Sequence, residues 1–462
     1  MTERAMAGAS GADADSSATA LESRRGTFAG LRKGIALQIL GTGAASALAL
    51  LTTLVTARLL SRPDFGALGS VQAVAATGAI LLTFGGSTRV LYESGLRRGA
   101  SLAPVFRLVA VYALVCCALG AALVGLGGLR LLGISLPEET AGVRALVAAH
   151  IAISAAFLLG ENALRGADRF AYSNSLVASY SAALAAGLIG GAALTRTYHG
   201  AIAGGALSAG LLLLVVALRC AARYGLRPPS LSDLRHGAGP VGVRSYLTQL
   251  AEVGSETIGI FFLAHRGDFA AVAAVVGCQR IAVVLTRPAT VLQAVLTGKS
   301  AGQSTGRSEA TTTLQVARLA SAPVLLLAIP MALFSGHAAS GLLGRSFADA
   351  GPTLLLFVAA AVFRSHAAIN AGLLIGQGCP WWYVALKAGV LVQTVTIVWY
   401  AAPVWGAAGV ALAQLAGGIT LDVFITGAVA RQAGSWSAIA RSNDGVVLRA
   451  LFRRRPVGGG SS

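Results

Sequence analysis

An all-α membrane protein with about twelve transmembrane helices, folded as two six-helix bundles repeated in parallel around a central cavity, is the architecture this sequence predicts. Three observations carry the prediction. The chain of 462 residues is 55% hydrophobic and only 12% charged, with a mean hydropathy of +0.72, whereas soluble domains carry roughly 25% charged residues. The few charges are bunched, leaving apolar blocks of about 20 residues, the length a helix needs to cross a bilayer core. Short punctuating segments also recur about two hundred residues apart.

Taken in order, the apolar blocks place spans at 34–57, 66–88, 104–128, 142–163, 172–194, 199–219, 242–264, 269–297, 314–334, 350–376, 384–402 and 405–430. Gly120, Gly125, Gly127 and Gly128 interrupt the third, and two arginines interrupt the eighth. Residues 1–33 read as a disordered cytoplasmic tail, since 1–27 are rich in Ala, Ser and Gly with no apolar core and do not resemble a signal peptide. The remaining units are a first bundle at 34–219, a cytoplasmic linker at 220–241, a second bundle at 242–430 and a basic cytoplasmic tail at 431–462.

Lys and Arg set the expected orientation. With both termini cytoplasmic, the tails and even-numbered loops hold 25 of the 36 basic residues and the odd-numbered loops hold six: Arg58, Arg62, Arg130, Arg196, Arg266 and Arg345. An odd number of spans would destroy that bias. The net charge of +18 is therefore spread over span ends rather than gathered on one face, and aromatics are sparse, so nucleic acid is not an expected partner. Cys116, Cys117, Cys220, Cys278 and Cys379 lack C-x-x-C spacing and read as reduced, buried small hydrophobes.

The repeats supply the symmetry. TARLLSRPDFGALGSV at 56–71 and AHRGDFAAVAAV at 264–275 share Asp-Phe, with Asp64 and Asp268 offset by 204. GADRFAYSNSL from 166 and GQGCPWWYVAL from 376 are offset by 210, and the Gly-rich entries at 199 and 405 by 206. Three landmarks at nearly one offset indicate two halves of six spans. Six being even, both halves enter the membrane from the same side.

The first of these segments, with Ala57, Arg58, Leu59, Leu60, Pro63, Asp64, Phe65 and Gly66, resembles the first external hairpin of Wzx-type polysaccharide exporters. Those belong to the multidrug/oligosaccharidyl-lipid/polysaccharide (MOP) flippase superfamily. ALRGADRF at 163–170 is similar to that family's loop between spans four and five, and HGAIAGGA at 199–206 to its entry into span six. In the second half Ala270 stands where the family has Gly. The resemblance implies an alternating-access flippase of the bacterial cytoplasmic membrane. It would move a polyprenyl-(pyro)phosphate-linked sugar unit to the outer leaflet, with glycosyltransferases or a polymerase as partners and no cofactor.

Charges inside spans cost roughly 2.5–3.5 kcal/mol each on insertion scales and so ask for a partner, water or a role. Glu252 and Glu256 are four apart in the seventh span, and Arg280 and Arg287 are seven apart in the eighth, so each pair shares a helix face. Arg364 sits mid-way along the tenth with His366 and Asn370 nearby, and Asp422 in the inner half of the twelfth. Arg280, Arg287, Arg364 and Arg89 are candidates to meet an anionic phosphate, since guanidinium binds it bidentately. Glu252, Glu256 and Asp422 are candidates to carry a coupling H⁺ or Na⁺. Two structural readings stand beside these: Glu252 or Glu256 pairs with Arg280 across adjacent helices, and Arg89 snorkels to the interface. Glu161 and Arg165, four apart, are free to pair, while Trp381, Trp382 and Tyr383 read as an interfacial belt.

TGKS at 297–300 fails as a phosphate loop because Gln293 stands where its first Gly belongs, and neither H-E-x-x-H nor G-x-S-x-G is present. No enzymatic activity is expected, and uphill work must draw on an ion gradient, the membrane potential or consumption of product. The rival readings are a cation-coupled multidrug antiporter on the same fold and a non-transporting scaffold of a glycan-synthesis complex.

Overall fold

The computed structural model describes residues 41–86, 90, 103–125, 140–166, 170–224, 240–300 and 307–434, and the regular elements among them are helices. The first bundle contains α1 (Gly41–Leu59), α2 (Arg62–Thr83), α3 (Ala103–Gly125), α4 (Ala141–Gly166), α5 (Phe170–Thr195) and α6 (Tyr198–Tyr224). The second contains α7 (Pro240–His265), α8 (Phe269–Ser300), α9 (Arg307–Leu333), the short α10 (Ser335–Leu343), a 3₁₀ turn (Arg345–Ala350), α11 (Gly351–Gly376), α12 (Trp381–Trp405) and α13 (Ala407–Ala433). Each predicted span has its long helix. Ten are long and apolar enough to cross a membrane, and α3 contributes a shorter apolar stretch, Val109–Ala122. α7 is diluted by Arg244, Gln249, Glu252 and Glu256.

The packing is pseudo-symmetric. α3 lies on α4 as α9 lies on α11, α5 on α6 as α12 on α13, and α2 on α4 as α8 on α11. What the sequence does not announce is the element between α9 and α11. α10 and the 3₁₀ turn form a compact hairpin at the end of the molecule that also carries the α1–α2 and α7–α8 turns. That end is called the hairpin end below.

The repeated Asp-Phe has a local cause. Ser61 caps α2 by accepting from Asp64 N at 3.2 Å, and its hydroxyl donates to Asp64 Oδ2 at 2.5 Å; Pro63 lies in the first turn, where no helical donor is lost. Asp268 itself caps α8, accepting from Ala271 N at 2.9 Å after Gly267 turns the chain at φ +73°. Each carboxylate thus sits at a helix N-terminus, where the dipole favours it. The two occupy different cap positions, so the echo is of role rather than of strict register.

The bundles meet along α2. At the hairpin end its small residues press on α8: a Cβ at Gly66 would lie 1.9 Å from Phe269 O. Toward the other end α2 turns to α7, where Thr77 and Thr257 hydroxyls are 3.2 Å apart and Tyr246 Oη donates to Leu81 O at 3.2 Å. The main apolar core runs through this seam, with Phe65, Leu68 and Val71 from α2 against Val272, Val275 and Val276 from α8.

Candidate functional site

Two cavities bear on the predicted site residues, one in each bundle. The second-bundle cavity, of about 130 Å³, is lined by α7, α8, α11, α12 and α13, and Glu252, Glu256, Arg364 and Lys387 are among its lining residues. Lys387 Nζ lies 3.3 Å from Glu252 Oε2, and Arg364 Nη1 donates to Glu256 Oε1 at 3.2 Å. The other Arg364 terminal nitrogen donates to Gln414 Oε1, and Gln414 Nε2 donates to Ser255 O at 2.5 Å. Glu252 and Glu256 sit one turn apart on one face, as their spacing requires, and each is neutralised by a cation from a different helix.

Sequence reasoning missed Lys387. It falls three residues inside the eleventh span, yet the orientation count assigns it to a cytoplasmic loop. The structure buries it in α12 with its ammonium 5.8 Å from the Tyr383 ring. The predicted aromatic belt divides for the same reason: Trp381 and Trp382 are exposed, whereas Tyr383 is buried and lines the cavity. Gln414 and Ser255, neutral and unremarkable in sequence, complete the network.

The first-bundle cavity is larger, about 430 Å³, and differs in character. Thr52, Thr53 and Thr56 line it from α1, Gln72 from α2, His150 and Ser154 from α4, and Ser181 from α5. The three threonine hydroxyls donate to carbonyls one turn back at 2.7, 2.9 and 2.6 Å, leaving oxygen lone pairs for donors from outside the protein. Phe157 and Tyr180 stack in the wall, centroids 4.0 Å apart. His150 is 4% exposed, and its Nδ1 is buried without a hydrogen-bond partner among the described residues. Among the described residues no carboxylate lines this cavity.

The one arginine or lysine that lines it among the described residues is Arg280, which comes from α8 of the other bundle and reaches across the seam. Among the described residues it has no ion pair or hydrogen bond, so the alternative structural reading, in which Arg280 pairs with Glu252 or Glu256, is not what forms, although Glu256 lies within its electrostatic reach. The predicted arginines are therefore not one cluster. Arg280 serves the first-bundle cavity and Arg364 the second, while Arg287 lines neither. Arg287 Nε is buried without a partner among the described residues, and its guanidinium lies within electrostatic reach of Glu256 and of Glu161 in α4. Glu161 itself pairs with Arg165 at 2.6 Å. Arg89 lies outside the described residues. Asp422 lies outside both cavity linings, with His366 Nδ1 2.6 Å from its Oδ1.

No family model matches the chain, and no curated protein matches it by sequence. Solved structures do. The lipid II flippase MurJ in an inward closed conformation is similar at TM-score 0.63 and 12% identity, covering 90% of this chain and 92% of that one. The MATE multidrug transporter DinF-BH is similar at TM-score 0.60 and 15% identity, covering 87% and 95%. A MOP superfamily transporter from Pyrococcus furiosus, described as having a binding pocket of reverse polarity, is similar at TM-score 0.55 and 14% identity, covering 87% and 96%. The chain has the fold of MOP-superfamily transporters.

Proposed function

We propose that this chain is an alternating-access transporter of the cytoplasmic membrane whose cargo is an amphiphile with an anionic, hydroxyl-rich head group. Within that class it is a flippase for a polyprenyl-(pyro)phosphate-linked oligosaccharide used in cell-envelope polysaccharide synthesis. One observation carries the reading: among the described residues, Arg280 enters a cavity lined by no carboxylate and makes no ion pair or hydrogen bond. A desolvated guanidinium is costly alone, and a phosphate oxyanion supplies the bidentate acceptor it lacks. The threonine lone pairs beside it accept from hydroxyl donors, which a sugar has in abundance. Among the described lining residues a cationic drug would meet the opposite: an unpaired positive charge and no carboxylate.

Cation-coupled multidrug antiport on the same fold is the second reading, and the similar structures favour it, since two of them are described as multidrug transporters. The lining charges separate the two. Purified protein in liposomes is given either a lipid-linked oligosaccharide or a cationic dye. The flippase reading expects glycan translocation, reduced about tenfold or more by Arg280→Ala and less by Arg364→Ala, whose guanidinium is already engaged. Dye efflux indifferent to Arg280, without glycan movement, would establish the antiporter instead. A scaffold would move neither.

A further inference from the structure

Glu161 and Arg287 come from different bundles and stand just beyond the first-bundle cavity, on the side away from the hairpin end. On α8, Val276 and Arg280 line that cavity. Arg287 follows Arg280 by seven residues, within about 20° of the same face and about 10 Å further along the axis. On α4, His150, Ser154, Phe157 and Leu158 line the cavity. Glu161 is seven residues beyond Ser154 and four beyond Phe157, so it continues the same stripe past the last lining turn. Both helices run away from the hairpin end, so the two side chains flank the same mouth.

They differ in how firmly they are held. Glu161 pairs with Arg165 at 2.6 Å, in the last turn of its own helix, where 37% of the Arg165 side chain is accessible. Arg287 Nε is buried without a hydrogen-bond partner among the described residues, and the guanidinium lies within electrostatic reach of Glu161 and Glu256. Glu256 is already held by Arg364, which is itself bonded to Gln414. Glu161 is therefore the carboxylate that can change partner at little cost. An accessible i,i+4 pair is weak, and Arg165 left behind still meets the carbonyl end of α4, which favours a cation.

We propose that Glu161 and Arg287 form a gate across this mouth. Paired with each other they close it; with Glu161 held by Arg165, as in this structure, they leave it open. The proposal rests on the transport reading above, since a gate has a role only where cargo passes. No proton moves and no covalent bond changes: one cation replaces another on Glu161. The exchange also decides what an anionic head group meets at the mouth, a guanidinium without a carboxylate when the gate is open and a neutral pair when it is shut.

α8 is weakened where the exchange needs it to give. Pro288 directly follows Arg287 and has no N–H to offer Val284 O. Thr286 donates to Val283 O at 2.9 Å and Thr290 to Arg287 O at 2.8 Å, back-bonding of the kind that accompanies helix bends. Thr286 and Thr290 also line the second-bundle cavity, so a swing of Arg287 toward α4 moves the walls of both cavities together.

A cargo-free distance measurement tests the gate. Spin labels at the exposed positions 172 on α5 and 431 on α13, in the end turns of the two bundles on the mouth side, report its opening. They are carried by a non-natural amino acid, so the native cysteines stay. R165A removes the present partner of Glu161 and should raise the short-distance population about five-fold. R165A/E161Q and R165A/R287M should cancel that gain. E161R/R287E keeps a pair of reversed sign and should also close the mouth. A short-distance population that R165A does not raise, or that R287M leaves at full size, overturns the gate, as does E161R/R287E behaving like R287M alone. Glycan translocation in liposomes separates the gate from the cargo assignment. Distances that follow this pattern without glycan movement leave the gate standing and refute the glycan reading. Glycan movement with distances indifferent to R165A and R287M refutes the gate alone.

Discussion

Arg62, at the first turn of α2, holds Asp349, in the 3₁₀ turn of the other bundle, with both terminal nitrogens, at 2.8 and 2.9 Å. The same guanidinium donates to Ser346 O at 2.7 Å and Ala270 O at 3.2 Å, and lies 5.2 Å from the Phe347 ring centroid. Arg58 adds a bond to Gly341 O at 2.6 Å. The hairpin that the sequence did not announce is thus the receiver of a latch that joins the bundles at one end, which the Lys and Arg asymmetry predicts to be the outer one. Asp349 is exposed and an isolated exposed pair contributes about 1 kcal/mol or less. The carbonyl acceptors are what make Arg62 more than that pair. R62A should therefore open this end about five-fold or more in population, and D349N less. Spin labels at the exposed positions 194 and 345 would show the shift as a longer inter-bundle distance. An unchanged distance distribution in R62A refutes the latch.

Gly66 sets how closely the bundles meet behind that latch. Because a Cβ there falls 1.9 Å from a backbone oxygen, no rotamer change relieves the clash, and α2 and α8 must separate. Overpacking of this kind costs about 1–3 kcal/mol. G66A should lower the melting temperature in detergent and open the hairpin end in the same spin-label measurement. G190A is the control: its Cβ meets nothing within 4 Å, so the better helix propensity of Ala should leave stability equal or slightly raised.

The spans were legible in the sequence because a bilayer enforces length and apolarity helix by helix, and the parallel repeat because cap chemistry recurs at helix starts. The partners of the buried charges were not. Periodicity says that Glu252 and Glu256 share a face, and they do, but which helix answers that face is a tertiary fact, and α11 and α12 answer it instead of α8. Arg280 and Arg287 likewise share a face by spacing, yet the first lines the opposite bundle's cavity and the second lines neither, which depends on the helices packed against α8 and not on its own periodicity. The α10 hairpin was hidden because nine residues of small and apolar side chains between two spans read equally well as the end of either.

Lys387 and Glu252 provide a test of how wet the second-bundle cavity is. Breaking a sealed ion pair by removing one partner costs about 3–5 kcal/mol, whereas replacing both costs little. Glu252 is about half exposed to the cavity, with 52% of its side chain accessible, so solvent screens the pair and the cost should be smaller, about 1–2 kcal/mol. K387M and E252Q should each destabilise by that amount, and the double variant by less than their sum. Additive effects in chemical denaturation would mean that the two charges do not interact.

Arg280 and His150 make the last prediction, because the guanidinium and the imidazole Nδ1 line the first-bundle cavity without a hydrogen bond or ion pair among the described residues. If an anionic head group completes them, the shape of the guanidinium matters as well as its charge, since Lys offers a point charge in place of a planar fork. R280K should therefore retain weak binding of inorganic pyrophosphate, read as a thermal shift, while R280A and R280E lose it. H150F removes both ring nitrogens and fills cavity volume, so it should weaken glycan translocation while leaving pyrophosphate binding at Arg280 within about three-fold. A charge requirement alone would make R280K equal to wild type. Full pyrophosphate binding by R280E would remove Arg280 from the site, and the anionic-cargo reading would fall with it.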